Sequence, residues 1–395
     1  MSEQEKIISN LKEKFNKIYG SDPAGIYFAP GRVNMIGEHT DYNGGHVFPC
    51  ALSMGTYAAA SRRNDHRIRL ASLNIRNGEV SEFTIDSYKK TTKGLRWTDY
   101  PMGVIWAIDQ RDDKLSAGAD ILFFGNIPAG SGLSSSASLE VLTGLVIRDL
   151  FGFEDITQVD LAKIGQQAEN EYVGMNCGIM DQFASAMGKQ DHAIFLDTST
   201  LEYTYGPLKL EDASIVITNS NVKHQLASSE YNVRRAECEE ALKKIQTVKN
   251  VASLGQLTCE EFEEVKHVIG NPVVEKRAKH AVYENQRTLE AVKALERNDI
   301  EAFGRLMNES HVSLRDDYAV SCPEIDYLTE TAWTIPGVIG SRITGGGFGG
   351  CSVSIIKNDA IEAYKQAVTG PYKEKFGLDL EFYVAEPGEG ARKLS

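Results

Sequence analysis

Apolar side chains at Ile7, Ile8, Leu11, Phe15 and Ile18 recur at three- and four-residue spacing, with charged residues between them. That period predicts an amphipathic helix with one docking face. Residues 1–17 carry too much charge for a secretory leader. Short apolar runs at 25–28, 57–60 and 67–71 predict strands, and 97–108 predicts a helix after a turn. Residues 120–124 read as a buried strand, followed by a glycine-rich stretch and a helix from about 137 to 151. Two more helices are predicted at 160–173 and 180–187. Periodicity is lost over 196–209, where Thr, Ser, Gly and Pro gather, and the chain divides there into segments 1–207 and 208–395. The second segment opens with a strand at 213–218 and is charge-dense and helical over 229–308. A strand at 351–356, a helix and a strand near 381–384 follow. Strands and helices interleave without a regular βαβ beat, which predicts an α+β fold in two lobes.

The 395 residues are 42% hydrophobic and 25% charged, as a folded chain of this length requires. A formal net charge of −13 argues against general binding to nucleic acid or anionic membranes. An anionic ligand would therefore need a local cation, an arginine or backbone amides. Six scattered cysteines without a C-x-x-C pair support neither a disulfide framework nor a thiolate metal site, and fit a reduced, cytoplasmic setting. No apolar run reaches membrane-spanning length.

Three stretches carry candidate chemistry. The run Ala29-Pro-Gly-Arg-Val-Asn-Met-Ile-Gly-Glu-His-Thr-Asp-Tyr-Asn-Gly-Gly45 places Glu38, His39, Thr40 and Asp41 in one glycine-bounded loop. Crowded acceptors suit a polyhydroxylated ligand, because each hydroxyl needs a partner once it leaves water. Read by itself, the loop fits a solvated surface turn equally well. The second stretch, Gly125 to Glu140, lies between a buried strand and a helix. Its glycines let backbone amides approach a ligand, and the following helix adds a positive N-terminus, so Gly130, Ser131, Gly132, Leu133, Ser134, Ser135 and Ser136 form a candidate anion cradle. It lacks the Lys-Ser/Thr pair of a Walker loop and the spacing of a dinucleotide fingerprint. Asp181 follows Gly178 and sits in the first turn of a short helix, where the helix dipole favours its charge. The third stretch, Thr344 to Gly350, carries five glycines.

The first stretch closely resembles the galactokinase signature, with Met35 where Leu is commoner. The other two match, in order, the pattern of the wider GHMP small-molecule kinases. The resemblance implies a two-lobed GHMP kinase fold with mixed and antiparallel sheets and an active site between the lobes. It further implies ATP-dependent phosphorylation of the anomeric hydroxyl of galactose, with Asp181 as proton acceptor and Arg32 as transition-state stabiliser. Glu38, His39, Thr40, Asp41, Gly178, Asp181 and Tyr231 would bind the sugar. Residues 130–136 would wrap ATP, Ser72 and Trp97 would line its adenine pocket, and Ser136 with Glu169 would hold Mg²⁺. The third stretch would brace the cleft. Partners would be the small molecules galactose and ATP, with no obligate protein partner. An N-acetylgalactosamine kinase and a kinase-dead galactose sensor are the alternatives. The intact Ser134-Ser-Ser-Ala-Ser138 run and the presence of Asp181 speak against the sensor.

Overall fold

The computed structural model describes residues 2–85, 95–111, 114–128, 130–208, 210–222 and 227–395. Ala129, inside the second stretch, and Lys209, at the end of the aperiodic segment, lie outside them. The chain runs α1 (Glu3–Tyr19), β1 (Gly25–Asn34), β2 (His46–Val47), β3 (Pro49–Arg62), β4 (Arg67–Ser72), β5 (Ser81–Thr84), α2 (Asp99–Asp109) and β6 (Ala119–Gly125). Next come α3 (Ser135–Phe151), α4 (Gln158–Gln167), α5 (Met180–Met187), β7 (His192–Asp197), β8 (Tyr203–Pro207) and β9 (Ala213–Asn219). The remainder is α6 (Ala227–Ile245), α7 (Cys259–Val265), α8 (Pro272–Glu296), α9 (Ile300–Asp316), α10 (Pro323–Trp333), β10 (Val338–Thr344), β11 (Cys351–Lys357), α11 (Ile361–Phe376), β12 (Glu381–Ala385) and β13 (Arg392–Lys393).

Helix α1 begins with a capping box, in which Ser2 and Glu5 satisfy each other's backbone amides, and stops at left-handed Gly20. It docks through Leu11 and Phe15 on Phe28, Tyr57, Ala59 and Leu122. Burial of each of these two side chains is worth roughly 1.5–3 kcal/mol. They decide that the helix lies on the sheet.

A six-stranded sheet has the order β13-β1-β3-β6-β4-β5, in which only β4 and β6 run parallel. An antiparallel sheet of order β10-β11-β9-β12 carries the second half of the chain. The last strand, β13, returns to pair with β1, so the C-terminal residues complete the first sheet rather than the second. Mixed and antiparallel sheets covered by helices agree with the predicted α+β class.

Two readings of the pattern need correction. Residues 196–209 hold the end of β7 and all of β8, an antiparallel hairpin with Ile194 opposite Tyr205. Strand β8 is only half-buried along its length, so its alternation is faint. The helix predicted over 160–173 is regular only to Gln167, and Ala168–Val173 continues as a wider π-type turn closed by left-handed Gly174. Such one-turn widenings re-aim side chains, and this one carries Glu169.

Candidate active site

Strand β1 has a bulge between Pro30 and Arg32 in its pairing with β3. The irregularity leaves Gly31 without a register partner, Arg32 pairs again opposite Ala51, and its backbone N–H meets the carbonyl of Leu133 at 3.2 Å. The guanidinium is then fixed at three points. Nε and Nη2 each lie 2.8 Å from Asp181 Oδ1, and Nη1 donates to the Gly132 carbonyl at 2.7 Å. Ser134 donates to the other Asp181 oxygen at 2.6 Å. Asp181 is therefore clamped between the arginine of the first stretch and a serine of the second.

The polar loop after β1 turns at Gly37 and His39, both with positive φ. His39 is buried, and burial above all, helped by Arg234 and Arg342, lowers its pKa to about 3. It is a neutral imidazole. Nδ1 is paired with the Tyr42 hydroxyl at 2.8 Å, while buried Nε2 has no protein partner among the described residues. Tyr231 packs its ring 5.3 Å from that of His39. Asp41 Oδ1 accepts from the Tyr42 amide at 3.0 Å and Oδ2 from Met180 at 3.4 Å. Its carboxyl is pushed up to about 6 by burial first and by the neighbouring Asp181 charge second. A Cβ at Gly178 would stand 1.9 Å from Asp41 Oδ2, so any other residue there would displace that carboxylate.

Glu38 is buried, with Oε1 accepting from Gly345 at 2.7 Å and from Thr344 at 3.2 Å, beside Arg342 at 3.1 Å. The third glycine stretch thus grips the polar loop. It also packs on the second stretch, for a Cβ on left-handed Gly345 would meet the Gly132 carbonyl at 2.8 Å. Two glycine loops interlock at a distance that side chains would forbid.

Helix α3 starts after Ser134, itself left-handed at φ +61°. Ser135 and Ser136, in its first turn, line the same cleft. Glu169 is buried nearby. Its Oε2 accepts from Gln182 at 2.7 Å and from the Cys177 thiol at 3.4 Å. Burial and the Asp181 charge push it up to about 7, against hydrogen bonds from Cys177, Ser136 and Gln182. The same Gln182 amide reaches Glu140 Oε2 at 2.9 Å, where burial raises a second carboxyl well above its usual range.

One cleft of about 600 Å³ collects Arg32, Glu38, His39, Asp41, residues 130–136, Glu169, Gly178, Asp181 and Tyr231. Three of the expected residues do not line this cleft. Thr40 is buried behind the loop, donating to the His46 carbonyl at 2.6 Å and to Gly37 at 2.9 Å, so it closes the turn. Ser72 ends β4 and accepts from the Asn74 amide at 3.3 Å. Trp97 is half-buried and packs edge-on against Phe123 of the core. Neither lines the cleft. Conversely, Asn219, Asn221, Val222 and Phe348 line it from the second half of the chain. Phe348 lies within the third glycine stretch, but no spacing in the sequence marks the other three, which strand order in the second sheet brings there. Gln182 could have been suspected, being the neighbour of Asp181 on α5.

No cluster of three or more His, Cys, Asp or Glu among the described residues is arranged to hold a metal ion. The cleft instead offers scattered oxygen donors. Such donors suit a hard cation that arrives with phosphate and keeps part of its water.

Three family models match in chain order: a galactokinase galactose-binding signature over residues 13–62, a GHMP kinase N-terminal domain over 99–189 and a GHMP kinase C-terminal domain over 291–374. The chain is 53% identical to a galactokinase of Clostridium acetobutylicum, over 98% of this chain and 100% of that one. To a galactokinase of Bacillus subtilis it is 49% identical, over 97% and 98% of the two chains. Among solved structures, it superposes on Lactococcus lactis galactokinase complexed with galactose with a TM-score of 0.95 and 45% identity, covering 98% of this chain and all of that one. The Methanococcus jannaschii mevalonate kinase, at TM-score 0.63 and 16% identity over 92% and 98% of the chains, shares the fold.

Proposed function

The chain belongs to the galactokinase family, and from that premise we propose how it transfers the γ-phosphoryl group of ATP to the anomeric hydroxyl of D-galactose, giving α-D-galactose 1-phosphate and ADP. The observation that carries the mechanism is the clamp on Asp181. One carboxylate oxygen belongs to Arg32 and the other to a serine of the phosphate loop. A sugar hydroxyl is a weak nucleophile, so the protein must align it with the phosphorus and take its proton. Asp181 accepts that proton. Arg32, fixed at once to the base and to the Gly132 carbonyl, supplies positive charge where the attacking oxygen becomes anionic.

Glu38, His39, Asp41, Gly178 and Tyr231 hold the sugar. Unpartnered His39 Nε2 is available to one of its hydroxyls, and Asp41 accepts from others. Residues 130–136 hold the triphosphate through backbone amides and hydroxyls. The remaining donors fit Mg²⁺, since Ser136 and Glu169 are a hydroxyl and a carboxyl drawn together in a cleft with no thiolate or histidine cage. They would hold the ion, whose part is to neutralise phosphate charge. Six free cysteines, four of them buried, fit a reducing cytoplasmic setting. No helix among the described residues is long and apolar enough to cross a membrane.

Release of ADP measured with galactose, N-acetylgalactosamine, glucose and mevalonate tests the assignment. Galactose should give turnover at least about a hundredfold above glucose, because a site built to pair a hydroxyl penalises its loss or displacement. Preference for N-acetylgalactosamine, or binding of galactose and ATP without ADP release, would overturn it.

A further inference from the structure

Helix α8 meets the sugar loop along one face, through His280, Glu284, Asn285 and Thr288. His280, Glu284 and Thr288 follow one another four apart and Asn285 lies three before Thr288, so the four fall along one side of the helix. All four are buried. Glu284 Oε1 accepts the Gly37 amide at 3.0 Å, immediately before Glu38. His280 Nε2 lies 3.1 Å from the Glu38 carbonyl, and its Nδ1 lies 2.9 Å from the Ser313 hydroxyl on α9. A carbonyl needs a donor, so Nε2 carries the proton and Nδ1 accepts from the serine. Asn285 Oδ1 accepts the His46 amide at 2.8 Å, at the far end of the same loop. Thr288 closes the space around Gly37, where a Cβ would come within 3.0 Å of its hydroxyl. The loop that presents Glu38, His39 and Asp41 is thus tied at both ends to one helix from the other half of the chain.

We propose that Glu284 is a positioning residue for sugar recognition: it fixes the entry of the sugar loop, and with it the aim of Glu38, His39 and Asp41. Nothing about Glu284 suggests contact with a ligand, since it is fully buried and does not line the cleft. Its carboxylate is itself fully engaged, with Ser310 donating to Oε1 at 2.6 Å and Arg287 to Oε2 at 2.8 Å. Burial raises its pKa, but Arg287, His280, Arg342 and Ser310 overcome that and hold the carboxyl down at about 2. A charged acceptor makes a stronger bond to an amide than a neutral one does. That suits a device whose task is to hold one backbone position. Among the described residues the phosphate loop receives no comparable tie from α8, so the effect should be confined to the sugar.

The inference rests on the galactokinase reading and deepens it. Kinetics of the full chain, Glu284→Gln and Asn285→Ala provide the test, with galactose and ATP varied separately. Both variants should raise KM for galactose, about tenfold for Glu284→Gln and about threefold for Asn285→Ala. KM for ATP should stay within about twofold and kcat within about threefold. A general loss of packing would instead lower kcat or raise both KM values together, and either result overturns the proposal, as would an unchanged KM for galactose. If Glu284→Gln does not fold cooperatively, Asn285→Ala decides on the same criteria. A parent enzyme that does not phosphorylate galactose sinks the functional reading itself. An active parent with unaltered variants sinks only this inference.

Discussion

Asp181→Asn should reduce kcat by about two to four orders of magnitude while the chain keeps its fold. The substitution preserves shape, and its amide can satisfy both neighbours. The oxygen accepts from Arg32, and the NH₂ group can donate to the Ser134 oxygen, which then gives up its own donor role. What the amide cannot do is accept the proton of the sugar hydroxyl. The variant also moves a pH dependence. Because Asp41 titrates near 6, kcat/KM for galactose in the parent should fall as pH drops through about 6, where the acceptor becomes a carboxylic acid. Burial and the Asp181 charge together put it there, so removing that charge should shift this acid limb to lower pH in Asp181→Asn. The stability contribution has the opposite sign. A carboxyl raised from 3.8 to about 6 on folding costs stability above pH 6, and the cost is relieved between about 6 and 4. Activity should therefore be lost over a range in which this group makes the fold firmer. Near-normal turnover in folded Asp181→Asn would remove Asp181 as the base and leave orientation to Arg32.

Ser136→Ala and Glu169→Gln should each raise the Mg²⁺ concentration needed for half-maximal activity, by about tenfold, and the double variant should fall well short of the sum. Two groups that hold one ion are not independent, and coupling between such neighbours is typically about 0.5–3 kcal/mol. Glu169→Gln has a second consequence that needs no metal. Glu169 is raised to about 7 by burial and the Asp181 charge, so in the free protein its ionised form is a cost above that pH. The glutamine removes the cost, and thermal unfolding of the metal-free variant at pH 8 should occur at a higher temperature than in the parent. Full additivity with an unchanged Mg²⁺ requirement would separate the two residues. A lower unfolding temperature would show that the Gln182 and Cys177 bonds outweigh the buried charge.

How far these features could be read from the chain depended on the range of the interaction. The α1 stripe, the placement of Asp181 in the first turn of α5 and the unusual polar content of residues 38–41 are local, and the pattern exposes them. So does the turn from β6 to α3 through glycines. The π turn is also local, but nothing in Gln-Gln-Ala-Glu-Asn distinguishes it from a regular helix, although it decides where Glu169 points. The hairpin of β7 and β8 was hidden because a half-exposed strand alternates weakly. The remaining gaps are long-range. Glu284, Asn285 and His280 look like ordinary helical residues until the fold sets them on the sugar loop, some 240 positions earlier. Asn219, Asn221 and Val222 reach the cleft in the same way. Thr40 shows the reverse case. Its residue type and neighbours suit sugar binding, but its hydroxyl is spent on two backbone carbonyls. Ser72 and Trp97 were placed by resemblance alone, and the fold sets one at the end of β4 and the other half-buried against Phe123.

Transfer to the anomeric oxygen is most directly tested by the phosphorus NMR spectrum of the product formed from ATP, Mg²⁺ and galactose labelled with carbon-13 at C1. A sugar phosphate signal split by coupling to the labelled carbon, growing in step with ADP, is the predicted result. An unsplit sugar phosphate would place the group on another hydroxyl, and inorganic phosphate formed in step with ADP would mean that water is the acceptor. Either would contradict a cleft in which Asp181 and Arg32 activate the C1 hydroxyl.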